Sequence, residues 1–253
     1  MAGEFKRNPA QAWRNYGSVV TGALVDAAIR DKAQVLYHVN TMRMSPWDLQ
    51  RNKLHEWVRG KRGVRYFFHF DLAKNKDAAG IACVHLERTG VVTVDFMHRI
   101  AALPGKNIDF DQLRGFVYLF TERGFHVELV TYDQWQSEDS RQTLEKKGYK
   151  TDYRSADKSS APYDTTIEML LSGRLDYYSH PIFIREMESL RTNGIKYDHP
   201  KHGSKDVADA VACATWTAIN YELENPVEPP GRIKVCRPAP RSRLAPTYEK
   251  GIW

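Results

Sequence analysis

The sequence lacks most of the signatures that would decide its class at once. It has only three cysteines, Cys83, Cys213 and Cys236, far apart and odd in number. They fit neither a disulfide framework nor a zinc site, and a reducing cytosol is the natural setting for them. No apolar run approaches the ~20 residues needed to span a bilayer, which excludes a helical membrane protein. The first residues, MAGEFKRNPAQAW, have no hydrophobic signal-peptide core. There is no G-x-x-x-x-G-K-S/T phosphate loop: Gly105-Lys106 lacks the upstream glycine and the following hydroxyl, so ATP hydrolysis is not expected. A Gly-x-Ser-x-Gly elbow and a strand-borne G-x-G-x-x-G are also missing. Internal repeats and low-complexity tracts are absent.

What remains is the composition of a folded soluble chain. Of 253 residues, 42% are hydrophobic and 27% charged, which excludes disorder of the whole chain. The excess of 37 Lys+Arg over 31 Asp+Glu, a net charge of +6, permits an anionic partner without establishing one.

Four regions separate by pattern. Residues 1–62 are polar and helix-prone; within them 46–58 reads as an amphipathic helix with Trp47, Leu54 and Trp57 on its apolar side. Residues 63–172 alternate strand and helix patterns. Aromatic and β-prone runs at 66–72, 80–86 and 91–100, the last two joined by the turn Glu87-Arg88-Thr89-Gly90, predict a three-stranded meander. A helix over 108–122, closed by Gly124, a strand over 127–132, a helix over 137–147, closed by Gly148, and a short strand over 149–153 follow. Strands reached through helical crossovers pair in parallel. The order β-β-β-α-β-α-β therefore predicts an α/β fold: a mixed five-stranded sheet with helices on both faces. Residues 173–222 carry helix signals and end in a long helix over 204–222. The last stretch, 226–253, holds six of the twelve prolines and six Lys/Arg against two Glu, a basic tail that cannot build a core.

The carboxylates at strand ends carry the chemistry. Asp71 closes the most hydrophobic strand and Asp133 closes the fourth; in this order the first and fourth strands can be neighbours. A carboxylate in the middle of a sheet needs something to stabilise it. Two of them together repel, which a divalent cation resolves. A lone aspartate at a strand end is as readily a turn former. The third group is Asp206 and Asp209, three apart on one helical face. Ser204 is a candidate N-cap, and a first-turn acid such as Asp206 also stabilises a helix dipole, which accounts less well for Asp209. The small residues Ala208, Ala210, Ala212 and Ala214 allow this helix to approach a sheet. His199 and His202 sit beside Pro200 and Gly203 and read as a surface loop. The basic residues Lys61, Arg62, Arg65, Arg141, Lys146 and Lys147 are solvated charge, or backbone contacts if a phosphodiester lies near.

Three stretches, in this order and spacing, resemble a known family: HFDLAKNKDAAGIA, VTYDQWQS followed by a helix ending in KKGY, and DHPKHGSKDVADAVACA, with LLSGRLDYYSHPIFIREMESL between the last two. Over residues 64–222 the chain resembles the C-terminal nuclease half of the large terminase subunit of tailed bacteriophages. The resemblance implies an RNase H-like fold of the RuvC and integrase type, and a two-metal endonuclease that cuts concatemeric double-stranded DNA during genome packaging. It implies Asp71 and Asp133 as metal ligands, with Asp209 or Asp206 supplying the helix ligand, and Asp77 and Lys205 as secondary candidates. Two Mg²⁺ ions per site are expected, with Mn²⁺ able to substitute. The implied division is 1–62 as connector from an N-terminal ATPase domain that this sequence does not contain, 63–224 as nuclease and 225–253 as tail. Implied partners are double-stranded DNA, that ATPase domain, the portal protein and the small terminase subunit, in the cytoplasm of an infected bacterium rather than in the virion. The rivals are another RNase H-like nuclease, such as a Holliday-junction resolvase or transposase core, and a non-catalytic DNA-binding or assembly module.

Overall fold

A computed structural model describes residues 26–72, 78–102, 108–133, 137–201 and 203–226. The expected basic tail, apart from its first residues, lies outside the described residues, as do Asp77, His202, Gly105 and Lys106.

Three long antiparallel strands form the meander: β4 (Arg65–Leu72), β5 (Ala78–Leu86) and β6 (Val92–Ala101). Gly90 sits at φ +83°, which makes the tight β5–β6 turn accessible. Helix α2 (Phe110–Glu122) crosses to β7 (His126–Tyr132), which lies parallel to β4, and α3 (Glu138–Lys146) crosses to β8 (Thr151–Tyr153), parallel to β7. The first and fourth predicted strands are thus direct neighbours. The sheet also has a sixth strand that sequence patterning does not reveal: β9 (Leu175–Asp176), only two residues long, extends the β6 edge after α4 (Ala161–Leu171). The order is β8-β7-β4-β5-β6-β9. After α5 (Pro181–Ser189), the pair β10 (Arg191–Thr192) and β11 (Tyr197–Asp198) joins β1 (Asp26–Ala27) in a small separate sheet, and α6 (Asp206–Glu224) ends the described chain.

The pleat divides the core in two. Along β4, Tyr66, Phe68, Phe70 and Leu72 face α2 in one apolar cluster, while Phe67 belongs to the cluster packed by α4, α5 and α6. Alternation puts His69 and Asp71 on the Phe67 face. Likewise Val130 and Tyr132 face α2, so Leu129, Thr131 and Asp133 share the α6 side. Helix α6, whose Ala208, Ala210, Ala212 and Ala214 are all fully buried, packs on this side. A Cβ on Gly80 would stand 1.8 Å from the Asp206 carbonyl oxygen, so the start of α6 rests directly on β5, beside Asp71, the β4 partner of Gly80.

Two expectations are corrected. The stretch 46–58 is not a helix: β2 (Trp47–Asp48) and β3 (Lys53–Leu54) form a small hairpin. Asp48 Oδ1 accepts from the N–H groups of Gln50 and Arg51, both at 3.0 Å, and Asn52 takes φ +49°. Those local bonds offer the backbone an alternative to the helical ladder. Its apolar residues serve the hairpin instead, Leu54 buried and Trp47 packed edge-on to Phe96. Among the described residues of 26–62 the one helix is α1 (Ala33–Tyr37). Ser204 does not cap α6 either. Its hydroxyl donates to Glu186 Oε1 at 2.7 Å, and Glu186 Oε2 accepts from the Ala208 N–H at 2.8 Å. A buried carboxylate from α5 therefore caps α6, and burial raises its pKa to about 7 against these two bonds.

Candidate active site

Asp71 is the penultimate residue of β4, and Asp133 directly follows β7, its N–H 3.4 Å from the Phe70 carbonyl. Parallel pairing of Phe70 with Tyr132 puts the two carboxylates at the same end of adjacent strands. Both are buried, at 7% and 8% exposure. Among the described residues, Asp133 Oδ1 has no hydrogen-bond partner. Burial, then Asp209 and Asp133, push the Asp71 carboxyl well above its ordinary range, with Lys205 opposing. Two buried carboxylates at the same end of adjacent strands repel, a conflict that protonation of one or a neighbouring cation relieves.

The start of α6 supplies the rest. Asp209, 6% exposed, accepts from the Tyr163 hydroxyl at 2.6 Å through Oδ1 and from the Lys205 ammonium through Oδ2. Burial raises its pKa to about 6, with Lys205 and Tyr163 pulling the other way. Asp206 behaves differently: its Oδ2 accepts from Arg99 Nε at 3.0 Å. Lys205 Nζ also donates to Asp157 Oδ1 at 3.1 Å, an oxygen that Lys196 Nζ approaches at 3.3 Å. Burial alone would raise the Asp157 pKa, but the two lysines hold it below its ordinary value.

Asp71, Asp133, Asp206 and Asp209 all line one open cavity of about 250 Å³, together with Asp157, Asp198 and His199. The structure thus brings together the four primary candidates and Lys205. His199 lines the same cavity, although its Nδ1 is used on the Pro200 carbonyl at 2.7 Å. Of the basic residues read from sequence as solvated charge or phosphate contacts, Lys61, Arg62, Arg65, Arg141, Lys146 and Lys147, none lines it. Arg65 pairs with Glu222, Lys61 with Glu87, and Arg141 with Glu138 and Glu145. Sequence reasoning missed Asp157, Tyr163, Lys196 and Asp198. Only the Lys205–Asp209 pair had a readable signal, its i,i+4 spacing on a helix.

The donor set fits a hard cation: carboxylate oxygens, one of them without a partner, in a half-enclosed polar cavity. Among the described residues, however, no three His, Cys, Asp or Glu side chains already converge as a ready cage. Two of the carboxylates, Asp209 and Asp157, hold the Lys205 ammonium instead.

No family model matches the chain, and no curated protein matches it in sequence. Solved structures do. The large terminase of bacteriophage HK97 superposes with a TM-score of 0.59 at 14% identity, over 86% of this chain and 49% of that one. The large terminase nuclease of thermophilic phage G20c, solved with bound magnesium, gives 0.52 at 15% identity over 72% of this chain and 94% of that one. The nuclease domain from Thermus phage P74-26 gives 0.52 at 16% identity, over 71% and 91%. The fold is that of the large-terminase nucleases. It is RNase H-like, as the sequence resemblance implies, with six strands in the mixed sheet rather than five. This chain spans about half the length of the HK97 terminase and covers nearly all of the G20c nuclease.

Proposed function

We propose that this chain is a divalent-metal-dependent DNA endonuclease of the kind that cuts concatemeric viral DNA during packaging. The observation that carries the reading is the juxtaposition of Asp71 on β4, Asp133 just after β7 and Asp209 on α6, three buried carboxylates in one open cavity. A shared fold alone would not require acids there, and an assembly module would gain nothing from burying them against one another. Asp71, Asp133 and Asp209 would hold the metal, with Asp206 at its margin. Mg²⁺ is the expected ion, Mn²⁺ an expected substitute, and two ions fit the number of carboxylates. Bound ions supply Lewis-acid activation of the attacking water and of the departing 3′ oxygen.

The chain's own residues provide position. Gly80 lets α6 sit on the sheet, so that Asp209 reaches the strand ends. Tyr163 fixes one Asp209 oxygen, which restricts its rotamer. Arg99 holds Asp206 toward β6 through its Nε, 3.0 Å from Asp206 Oδ2. The terminase setting implies double-stranded DNA as substrate. An N-terminal ATPase domain, the portal protein and the small subunit are the proposed partners, in the cytoplasm of an infected cell. Leu36, Tyr37, Met42, Met44, Leu49 and Trp57 are exposed apolar side chains between 36 and 57, and contact with the ATPase domain is the proposed use of them.

Matched substrates test the reading against a resolvase. Linear duplex, supercoiled plasmid and a four-way junction are incubated with Mg²⁺. Cutting of duplex without junction preference is expected; cutting confined to the junction would replace the terminase reading with a resolvase one.

A further inference from the structure

Lys205 has no role in the reading above, yet its position is costly. It directly precedes α6, and its side chain is only 10% exposed. Burial strips water from the ammonium, and a helix N-terminus is the positive end of the dipole. What holds it there is anionic on both sides: Asp209 Oδ2, and Asp157 Oδ1 at 3.1 Å. Asp133 keeps an oxygen without a partner, and no ligand cage is closed among the described residues. The ammonium stands between two carboxylates of different kinds. Asp209 is buried beside Asp71, whereas the Asp157 side chain is 30% exposed and already accommodates a second ammonium, that of Lys196, at 3.3 Å.

We propose that Lys205 is the internal counter-ion of the centre: its ammonium neutralises the carboxylates of the metal-free protein, and metal loading moves it off Asp209 and onto Asp157 alone. The inference rests on the metal-dependent reading proposed above. A lysine suits the task, because its charge is compact and its four-carbon stem turns about several bonds without backbone movement. The device keeps the empty site from tearing at the sheet end, and it sets metal affinity by competition. Each arriving cation must displace a charge that already satisfies one Asp209 oxygen. Lys205 is thus a positioning residue that acts through Asp209.

The test is calorimetric titration of the whole chain with Mn²⁺ alone, together with thermal melts in EDTA. Lys205→Met should bind Mn²⁺ at least tenfold more tightly than wild type, and melt lower in EDTA. Asp157→Asn should weaken Mn²⁺ binding in the wild-type background, because the displaced ammonium loses its second seat. It should have no effect in the Lys205→Met background. Lys205→Gln, which keeps a neutral donor to Asp209, should shift affinity the same way and serves if the Met variant does not fold. Unchanged or weaker Mn²⁺ binding in both Lys205 variants would overturn the inference while leaving the metal reading intact. Equal weakening by Asp157→Asn in both backgrounds would make Asp157 a direct ligand and also overturn it. Absence of Mn²⁺ binding in every variant and in wild type would remove both.

Discussion

Asp206 and Asp209 lie one helical turn apart and have different neighbours. Asp209 is buried against Tyr163, Lys205 and the strand ends, whereas Asp206 is drawn toward Arg99 on β6. Asp209→Ala should therefore reduce Mg²⁺-dependent cleavage more than Asp206→Ala, by about tenfold or more, or ~1.4 kcal/mol of barrier. A dead Asp206→Ala beside an active Asp209→Ala would reverse the assignment. A second residue-scale prediction concerns His85, fully buried at the opposite end of β5. Its Nδ1 meets Asp95 Oδ2 at 2.5 Å and its Nε2 meets Glu87 Oε1 at 2.8 Å, with Lys61 beside Glu87 and Arg43 acting on Asp95. Burial opposes a charged imidazole, but the Asp95 bond and charge, helped by Glu87, raise its pKa above the ordinary 6.5. A raised histidine stabilises the fold fully below pH 6.5, and that contribution is lost as pH climbs through the folded value. In Asp95→Asn burial prevails, so NMR should find His85 titrating below its wild-type value and thermal melts should show a smaller loss of stability above pH 6.5. An unchanged His85 titration would show that Asp95 does not govern it.

At the scale of elements, the site depends on how closely α6 approaches β5. Gly80→Ala adds a methyl where the Asp206 carbonyl now lies. Backbone cannot rotate away as a side chain can, so α6 must shift and carry Asp206 and Asp209 with it. The variant should lose ~1–3 kcal/mol of stability and most of its cleavage; wild-type melting with full activity would show that the close approach is not needed. The same elements explain what could be read beforehand. The strands β4 to β7 are long, aromatic and β-branched, and Gly124 and Gly148, at φ +83° and +88°, mark the ends of α2 and α3. A two-residue strand such as β9 has no periodicity to read. The 46–58 hairpin was illegible because its spacing is helical while Asp48 and Asn52 impose a turn. In the site, Asp71 and Asp133 were legible as acids at the ends of apolar strands. Asp157 lies in a polar loop that is 48 residues from Lys205 in sequence, and nothing local marks that pairing. Glu186 as a cap of α6 is equally non-local.

For the whole molecule, a net charge of +6 and an open cavity suit a substrate gripped by its phosphates. Phosphate contacts release counterions and carry no sequence information. Cleavage should fall steeply as salt rises, show little sequence preference among unrelated plasmids, and be indifferent to added ATP. One discrete cut site on each plasmid would contradict this. A metal-dependent nuclease centre built on the buried carboxylates Asp71, Asp133 and Asp209 is tested by conversion of supercoiled plasmid by wild type and Asp71→Asn, each with Mg²⁺ and with EDTA. An amide oxygen is a neutral, weaker ligand, and losing one of the mutually repelling carboxylates relieves the metal-free site. Wild type should cut only with Mg²⁺, while Asp71→Asn should not cut at all and should melt at or above the wild-type temperature in EDTA. Cleavage by wild type in EDTA, or by Asp71→Asn at the wild-type rate, would contradict the claim.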